Sequence, residues 1–168
     1  MGEMLVIDTN IMKLALKGKT TEERKFVERV LELCDNIVVS NSILKEYASV
    51  VGWHRKKGWY PEIGFKEIWD EFKSYVRKSF GKSIKIVKKS KIKAKKRRLG
   101  IDTKEDERLK STYKDDYKLI ECAIGCCHEK VVVISRDYDL LGSKVLIIKG
   151  KTILFKTPED YLKQRGVQ

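Results

Sequence analysis

Two acidic residues follow closely after segments whose composition predicts buried strands. Asp8 comes after Leu5–Ile7, and Asp137 comes after Val131–Ile134, the most strongly apolar run of the chain. If both strands belong to one parallel sheet, the two carboxylates emerge at the edge where α/β proteins bind their ligands. Carboxylates placed close together repel each other unless a cation lies between them. Asp8 taken alone fits a turn-capping role equally well.

Two more acids lie near the predicted beginnings of helices and can join this pair. Glu46 lies in the first two turns of one helix, and Asp116, with its neighbour Asp115, lies at the start of another. We expect four carboxylates to converge without matching lysines or arginines. Oxygen donors of this kind suit Mg²⁺ or Mn²⁺ rather than zinc. Because acids are common at strand ends, the residues alone leave a purely structural role open beside a cation site.

The cysteines do not form a recognisable disulfide or zinc framework. Cys122, Cys126 and Cys127 lie in one predicted helix, on which neighbouring residues point to different faces. Cys126, Cys127 and His128 could ligate zinc, but paired C-x-x-C elements at the usual spacings are absent from the sequence. Small buried thiols in a reducing compartment are the favoured interpretation.

The predicted elements that position these residues alternate between strands and helices. A strand, a helix that begins with a capping box, and a second strand follow one another with short connections, which indicates a parallel crossover. We predict an α/β protein, a three-layer α/β/α sandwich with a central, mainly parallel sheet. The predicted strands are 5–7, 37–39, 83–87, 131–134, 145–148 and 153–155. The predicted helices are 10–16, 20–34, 43–51, 65–80, 114–127 and the segment that Thr157 caps.

Basic residues are concentrated in the middle of the chain. The formal net charge is +13; residues 52–110 contain 20 Lys and Arg against 8 Asp and Glu, whereas the rest contains 17 against 16. This excess favours a polyanionic partner, with nucleic acid first and an anionic membrane surface second. We divide the chain into an α/β core, 1–51 and 111–168, and a basic, partly helical insertion, 52–110. Within the insertion, 88–98 is expected to be solvated and mobile and 103–110 to form a turn.

The overall composition is that of a soluble globular protein with an unusually charged surface, since 42% of the residues are hydrophobic and 36% are charged. Apolar runs that approach the roughly 20 residues of a membrane-spanning helix are absent from the sequence. The amino terminus also lacks the basic and apolar segments of a secretion signal. We therefore expect a cytoplasmic protein without a membrane partner.

Four short motifs resemble, in order and in predicted secondary structure, those of PIN-domain proteins. This family of metal-dependent nucleases includes the toxins of many prokaryotic toxin–antitoxin pairs. The motifs are VIDTN at 6–10, ILKEY at 43–47, DYKLIECA at 116–123 and ISRDYDLL at 134–141. The resemblance covers about residues 4–51 and 111–150. It implies a PIN-like core and leaves the basic insertion unexplained.

The resemblance implies that catalytic carboxylates bind one or two Mg²⁺ or Mn²⁺ ions. These carboxylates belong to Asp8, Glu46, Asp116 and Asp137. Asp139 can supplement or replace Asp137 as a ligand. Asp116 is preferred over its neighbour Asp115 because of its spacing to the apolar residues of the following helix.

Three polar residues beside the acids are implied to orient the carboxylates or a phosphate oxygen by hydrogen bonds. They are Thr9, Asn10 and Ser135. For Thr9 and Asn10, a helix cap or a turn explains the residue type as well.

The activity that the resemblance implies is hydrolysis of RNA phosphodiester bonds by a metal-activated water, which is the reaction of a divalent-metal-dependent endoribonuclease. Two alternatives stay open: a PIN-like nucleic-acid-binding module without catalysis, and a structure-specific DNA nuclease that uses the same acids. RNA is therefore the expected partner, and DNA is the second choice. The resemblance also allows a homodimer and an inhibitory protein partner.

Basic and aromatic residues of the insertion are the candidates for nucleic-acid contact. Lysines and arginines bind phosphates, and exposed aromatic rings stack on unpaired bases. Trp53, Trp59 and Tyr60 suit binding and packing about equally, whereas Trp69 has the spacing of a core residue. The candidate binding residues are Arg55, Lys56, Lys57, Trp59, Lys88, Lys89, Lys91, Lys93, Lys95, Lys96, Arg97 and Arg98.

Overall fold

The computed structural model of the protein describes residues 2–16, 22–56 and 65–167. Within these ranges the chain forms an α/β fold around a six-stranded sheet. The strands are β1 (Met4–Ile7), β2 (Asn36–Ser40), β3 (Ile84–Val87), β4 (Lys130–Ile134), β5 (Val145–Ile148) and β6 (Lys151–Lys156). Their order is β3-β2-β1-β4-β6-β5, and all neighbours are parallel except β5, which runs antiparallel to β6 at one edge. The predicted mainly parallel sheet is confirmed.

The described helices fall into two groups, an arrangement consistent with a three-layer α/β fold. They are α1 (Thr9–Leu16), α2 (Glu22–Leu33), α3 (Asn41–Lys56), α4 (Phe65–Phe80), α5 (Lys89–Leu99), α6 (Thr103–Tyr113), α7 (Tyr117–Gly125), α8 (Tyr138–Ser143) and α9 (Pro158–Gln164). Helices α1 to α4 and α9 form one connected set, and α5 and α6 pack on α7. The helix α7 also contacts α3, and the short helix α8 packs on β6. Each described helix is too short or too polar to cross a bilayer.

Buried apolar runs and local caps explain these elements. Every residue of β1 is buried, as expected for a central strand of a parallel sheet with helices on both faces. The Ser40 hydroxyl accepts a hydrogen bond from the Ile43 N–H at 3.3 Å at the start of α3. Thr157 caps α9 in the same way, as predicted. The predicted capping box at 20–23 lies partly outside the described residues.

The segment 103–110, expected to be a turn, is instead most of the helix α6. Asp102 caps this helix by accepting a hydrogen bond from the Glu105 N–H at 2.8 Å. Acids in the first turn favour a helix start electrostatically, and Leu109 is buried. The helix predicted at 114–127 begins with a 3-10 turn (Lys114–Asp116), and only α7 is α-helical. The short helix α8 was absent from the predicted elements.

The basic run 88–98, expected to be solvated and mobile, forms the helix α5. Gly100, in the left-handed region at φ 74°, ends this helix and donates its N–H to the Arg97 carbonyl. Ile92 is buried against Gly125 of α7, where a Cβ would lie 2.7 Å from the Ile92 Cγ1 atom. The segment 52–110 therefore shares the sheet, through β3, and the hydrophobic core with the rest of the chain.

Candidate active site

The strands β1 and β4 bring their terminal acids to the same edge of the sheet. They are parallel neighbours in which Ile7 is paired with Ile134. The Asp8 N–H continues the ladder by donating to the Ile134 carbonyl at 3.0 Å. The Asp8 carbonyl also accepts hydrogen bonds from the first turn of α1. Asp8 is only 4% exposed, so its carboxyl group is held in a fixed, largely water-free position.

Ser135 ties the two strand-end acids together. Its fully buried hydroxyl donates to the Asp8 Oδ2 atom at 2.7 Å and accepts from the Asp137 N–H at 3.0 Å. Asp137 in turn caps α8, because its Oδ1 atom accepts from the Asp139 N–H at 2.8 Å. Asp8 and Asp137 are therefore positioned through one serine.

Asp116 completes a group of three acids that act on one another electrostatically. It ends the 3-10 turn before α7 and lines the same cleft as Asp137. Burial first, and then the charges of Asp137 and Asp8, raise the pKa of Asp116 to about 7. Burial also raises the pKa of Asp8, to which the charge of Glu46 adds, against the opposing Ser135 hydrogen bond. Asp115 is exposed, so Asp116 is the acid that faces the group.

A cleft of about 460 Å³ opens beside these acids and is lined mainly by polar groups. Asp139 is exposed at this cleft, next to Asp137. The lining residues are Thr112, Tyr113, Lys114, Asp115, Asp116, Asp137, Asp139, Leu140 and Ser143. A polyanionic ligand could enter here only with a cation to offset the acids.

Lys118 was missed by the sequence analysis and contradicts the expectation that the acids converge without a matching cation. Its ammonium group forms an ion pair with Glu46 and donates to the Asp115 carbonyl at 2.6 Å. Its charge also opposes the rise in the pKa of Asp8 and of Asp116. One feature of the sequence could have indicated Lys118: it lies in the first turn of the helix that follows Asp116, three residues after Asp115.

The chain was compared with models of protein families and with curated proteins. No family model matches the chain, and no curated protein is significantly similar to it.

The donor chemistry of the site fits a hard divalent cation. Carboxylate oxygens are the ligands that Mg²⁺ and Mn²⁺ prefer, and the mutual repulsion of Asp8, Asp116 and Asp137 is what such an ion relieves. The hydroxyl of Thr9, which is 1% exposed, has no hydrogen-bond partner among the described residues. Asn10, by contrast, is exposed. Among the residues that the structure describes, however, no three acids, cysteines and histidines are already arranged to hold a metal ion.

The structure places the thiols of the cysteine segment in different surroundings. All four are free thiols in the structure. Cys126 is buried and donates to the Cys122 carbonyl, while Cys127 is exposed and its sulfur lies 3.3 Å from the His128 Nδ1 atom. The thiols of Cys126 and Cys127 are therefore split between the interior and the surface, as expected for neighbouring residues.

The candidate nucleic-acid-binding residues are only partly available on the surface. Among them, the exposed ones are Lys88, Lys89, Lys91, Lys93, Arg97 and Arg98. Lys96 instead forms ion pairs with Asp106 at 3.0 Å and Glu121 at 2.6 Å, and Lys95 is partly buried. The exposed group lies on α5 and at its start, and we call these six residues the basic surface of α5.

The remaining candidates lie in or near the gap between α3 and α4. Trp53, Arg55 and Lys56 all belong to the last turn of α3. The predictions for Lys57, Trp59 and Tyr60 lie outside the described residues. The prediction that Trp69 is a core residue is confirmed, since it is 9% exposed and its ring lies 6.2 Å from that of Phe72.

Proposed function

We propose that the protein is a divalent-metal-dependent nuclease with a PIN-like, three-layer core, and that RNA is its substrate. The observation that carries the proposal is the convergence of Asp8, Asp116 and Asp137 where β1 and β4 end. Asp116 and Asp137 line one cleft, and the charges of Asp137 and Asp8 raise the pKa of Asp116. Acids brought together in this way, beside a polar cleft, are expected to hold Mg²⁺ or Mn²⁺.

The chain's own residues would prepare the site for such an ion. Ser135 orients Asp8 by its hydrogen bond to Oδ2. Because its pKa is raised to about 7, Asp116 must lose its proton before its carboxylate can hold a cation. Asp139, exposed at the cleft, is placed to supplement Asp137. When bound, the ion supplies a water that is easily deprotonated and offsets negative charge on the phosphate.

The basic surface of α5 supports a nucleic-acid substrate. Its exposed lysines and arginines can bind successive phosphates, with affinity that falls as salt concentration rises. The PIN resemblance favours RNA over DNA. A cytoplasmic location is part of this proposal, because the free thiols suit a reducing compartment.

Cleavage of a labelled single-stranded RNA in the presence of Mn²⁺ tests the proposal. Asp8→Asn and Asp116→Asn are expected to abolish cleavage, because each removes a negative ligand from the group. Asp115→Asn is the matched control, since this neighbouring side chain is exposed and should leave cleavage unchanged. Cleavage that survives both of the first two substitutions would overturn the mechanism. Competition between RNA and flap DNA distinguishes a ribonuclease from a structure-specific DNA nuclease.

A nucleic-acid-binding module without catalysis is the second candidate. The ion pair between Lys118 and Glu46 favours it, because that pair already neutralises one of the four acids. Salt-dependent RNA binding without cleavage under Mg²⁺, Mn²⁺ or other divalent ions would support this candidate over the nuclease.

A further inference from the structure

Lys118 is a cation built into the group of acids. It lies in the first turn of α7, and its side chain is only 16% exposed. Its ammonium group has two partners on different elements: the Glu46 carboxylate on α3 and the Asp115 carbonyl in the 3-10 turn. These contacts leave the lysine little freedom to leave the site.

The charges of the site show what Lys118 changes. When ionised, Asp8, Glu46, Asp116 and Asp137 carry four negative charges between them. Lys118 and one divalent ion together supply three positive charges, so the site keeps a slight negative excess. A second divalent ion would raise the positive charge to five and would lie near an ammonium group that cannot move away. Like charges that lie close together repel each other strongly in a partly buried site.

We propose that Lys118 is a fixed second cation of this site, so that the acids take up one divalent ion per chain instead of two. Glu46, held by Lys118, balances the lysine and does not ligate the ion. Asp8, Asp116 and Asp137 remain as its protein ligands. The ammonium group then faces the phosphate as the permanent partner of the single ion. This inference rests on the proposed metal-dependent function and specifies its ion requirement.

Titration of the full chain with Mn²⁺ tests the inference without any measurement of cleavage. Equilibrium dialysis, with free Mn²⁺ measured by electron paramagnetic resonance, gives the number of ions bound and their dissociation constants. Wild-type protein is expected to bind one Mn²⁺. Lys118→Met keeps the length of the side chain and removes its charge, so Glu46 is released. This variant is expected to bind a second Mn²⁺ and to bind the first at least tenfold more tightly.

Two control variants separate the charge of Lys118 from other effects. Lys118→Arg retains the positive charge and is expected to bind one Mn²⁺, as the wild type does. Lys114→Met removes a charge from the lining of the same cleft. It should retain one Mn²⁺ and change the dissociation constant less than threefold. Thermal unfolding of each variant shows whether it is folded. Two Mn²⁺ ions per wild-type chain would overturn the inference even if Lys118→Met does not fold.

The possible outcomes distinguish this inference from the proposed function. Two Mn²⁺ ions per wild-type chain would overturn the role of Lys118 and leave the nuclease proposal intact. A Lys118→Met variant that folds and binds Mn²⁺ as the wild type does would also overturn it. A wild-type chain that binds no Mn²⁺ at millimolar concentration would instead refute the metal-dependent function itself.

Discussion

Replacing Ser135 by alanine removes the hydroxyl group that fixes Asp8 relative to Asp137. The fully buried Oγ atom makes two hydrogen bonds, to the Asp8 carboxyl at 2.7 Å and from the Asp137 N–H at 3.0 Å. A hydrogen bond to a charged group contributes about 1.5–3 kcal/mol, and one between neutral groups about 0.5–1.5 kcal/mol. With both bonds lost, we therefore expect Ser135→Ala to lower the free energy of unfolding by about 2–4 kcal/mol when Asp8 is ionised, and by about 1–3 kcal/mol when it is protonated.

The pH dependence of this loss follows from the pKa of Asp8. Because burial raises that pKa, the folded protein keeps the Asp8 proton at pH values where the unfolded chain has lost it, and stability falls as the pH rises through this window. The Ser135 hydrogen bond opposes this fall. The difference in unfolding free energy between wild type and Ser135→Ala should therefore grow as the pH rises from about 4 to 8.

Urea unfolding in metal-free buffer, repeated across this pH range, measures the difference. Ser143→Ala, at an exposed position of the same cleft, is the control and should change stability by less than about 0.5 kcal/mol. In an Asp8→Asn background, where no charge can form, Ser135→Ala should have a small and constant effect. A loss that does not depend on pH, or that is equally large in the Asp8→Asn background, would refute the reasoning.

Three other experiments test the packing of a helix and the titration of two side chains. Gly125→Ala places a Cβ 2.5 Å from a side chain of β3 and 2.7 Å from one of α5, so urea unfolding should show a free energy of unfolding lower by about 1–3 kcal/mol. Gly142→Ala, on α8 with open space around it, is the control and should not destabilise the protein. Because the pKa of Asp116 is about 7, Mn²⁺ affinity should increase from pH 6 to pH 8, and Asp116→Asn should remove most of that increase. Burial lowers the pKa of Lys151 to about 8, so between about pH 8 and 10 the unfolded chain binds this proton and the folded chain does not. Stability should therefore rise with pH across this range, and Lys151→Met should flatten the rise in urea unfolding.

The sheet could be predicted from the sequence because its strands are short apolar runs bounded by polar residues. Central strands such as β1 and β4 are buried on both faces, so their composition alone identifies them. The helix α5 could not be predicted in this way, since seven of its eleven residues are basic. Its conformation depends on contacts with distant parts of the chain: Ile92 packs on Gly125, and Lys96 pairs with Glu121.

The candidate site, too, could be predicted where it depends on neighbouring residues in the sequence, and not where it depends on tertiary packing. Asp8 and Asp137 could be found because each follows a strand, and parallel strands that are neighbours must bring their ends together. The pairing of Lys118 with Glu46 depends on how α7 packs relative to α3, which no short motif reports. Acids at strand ends therefore indicate where a cation can bind, whereas the number of cations depends on the positive charges that the fold places among them. For this reason the charge of Lys118, more than the identity of any one acid, is expected to set how many ions this site takes up.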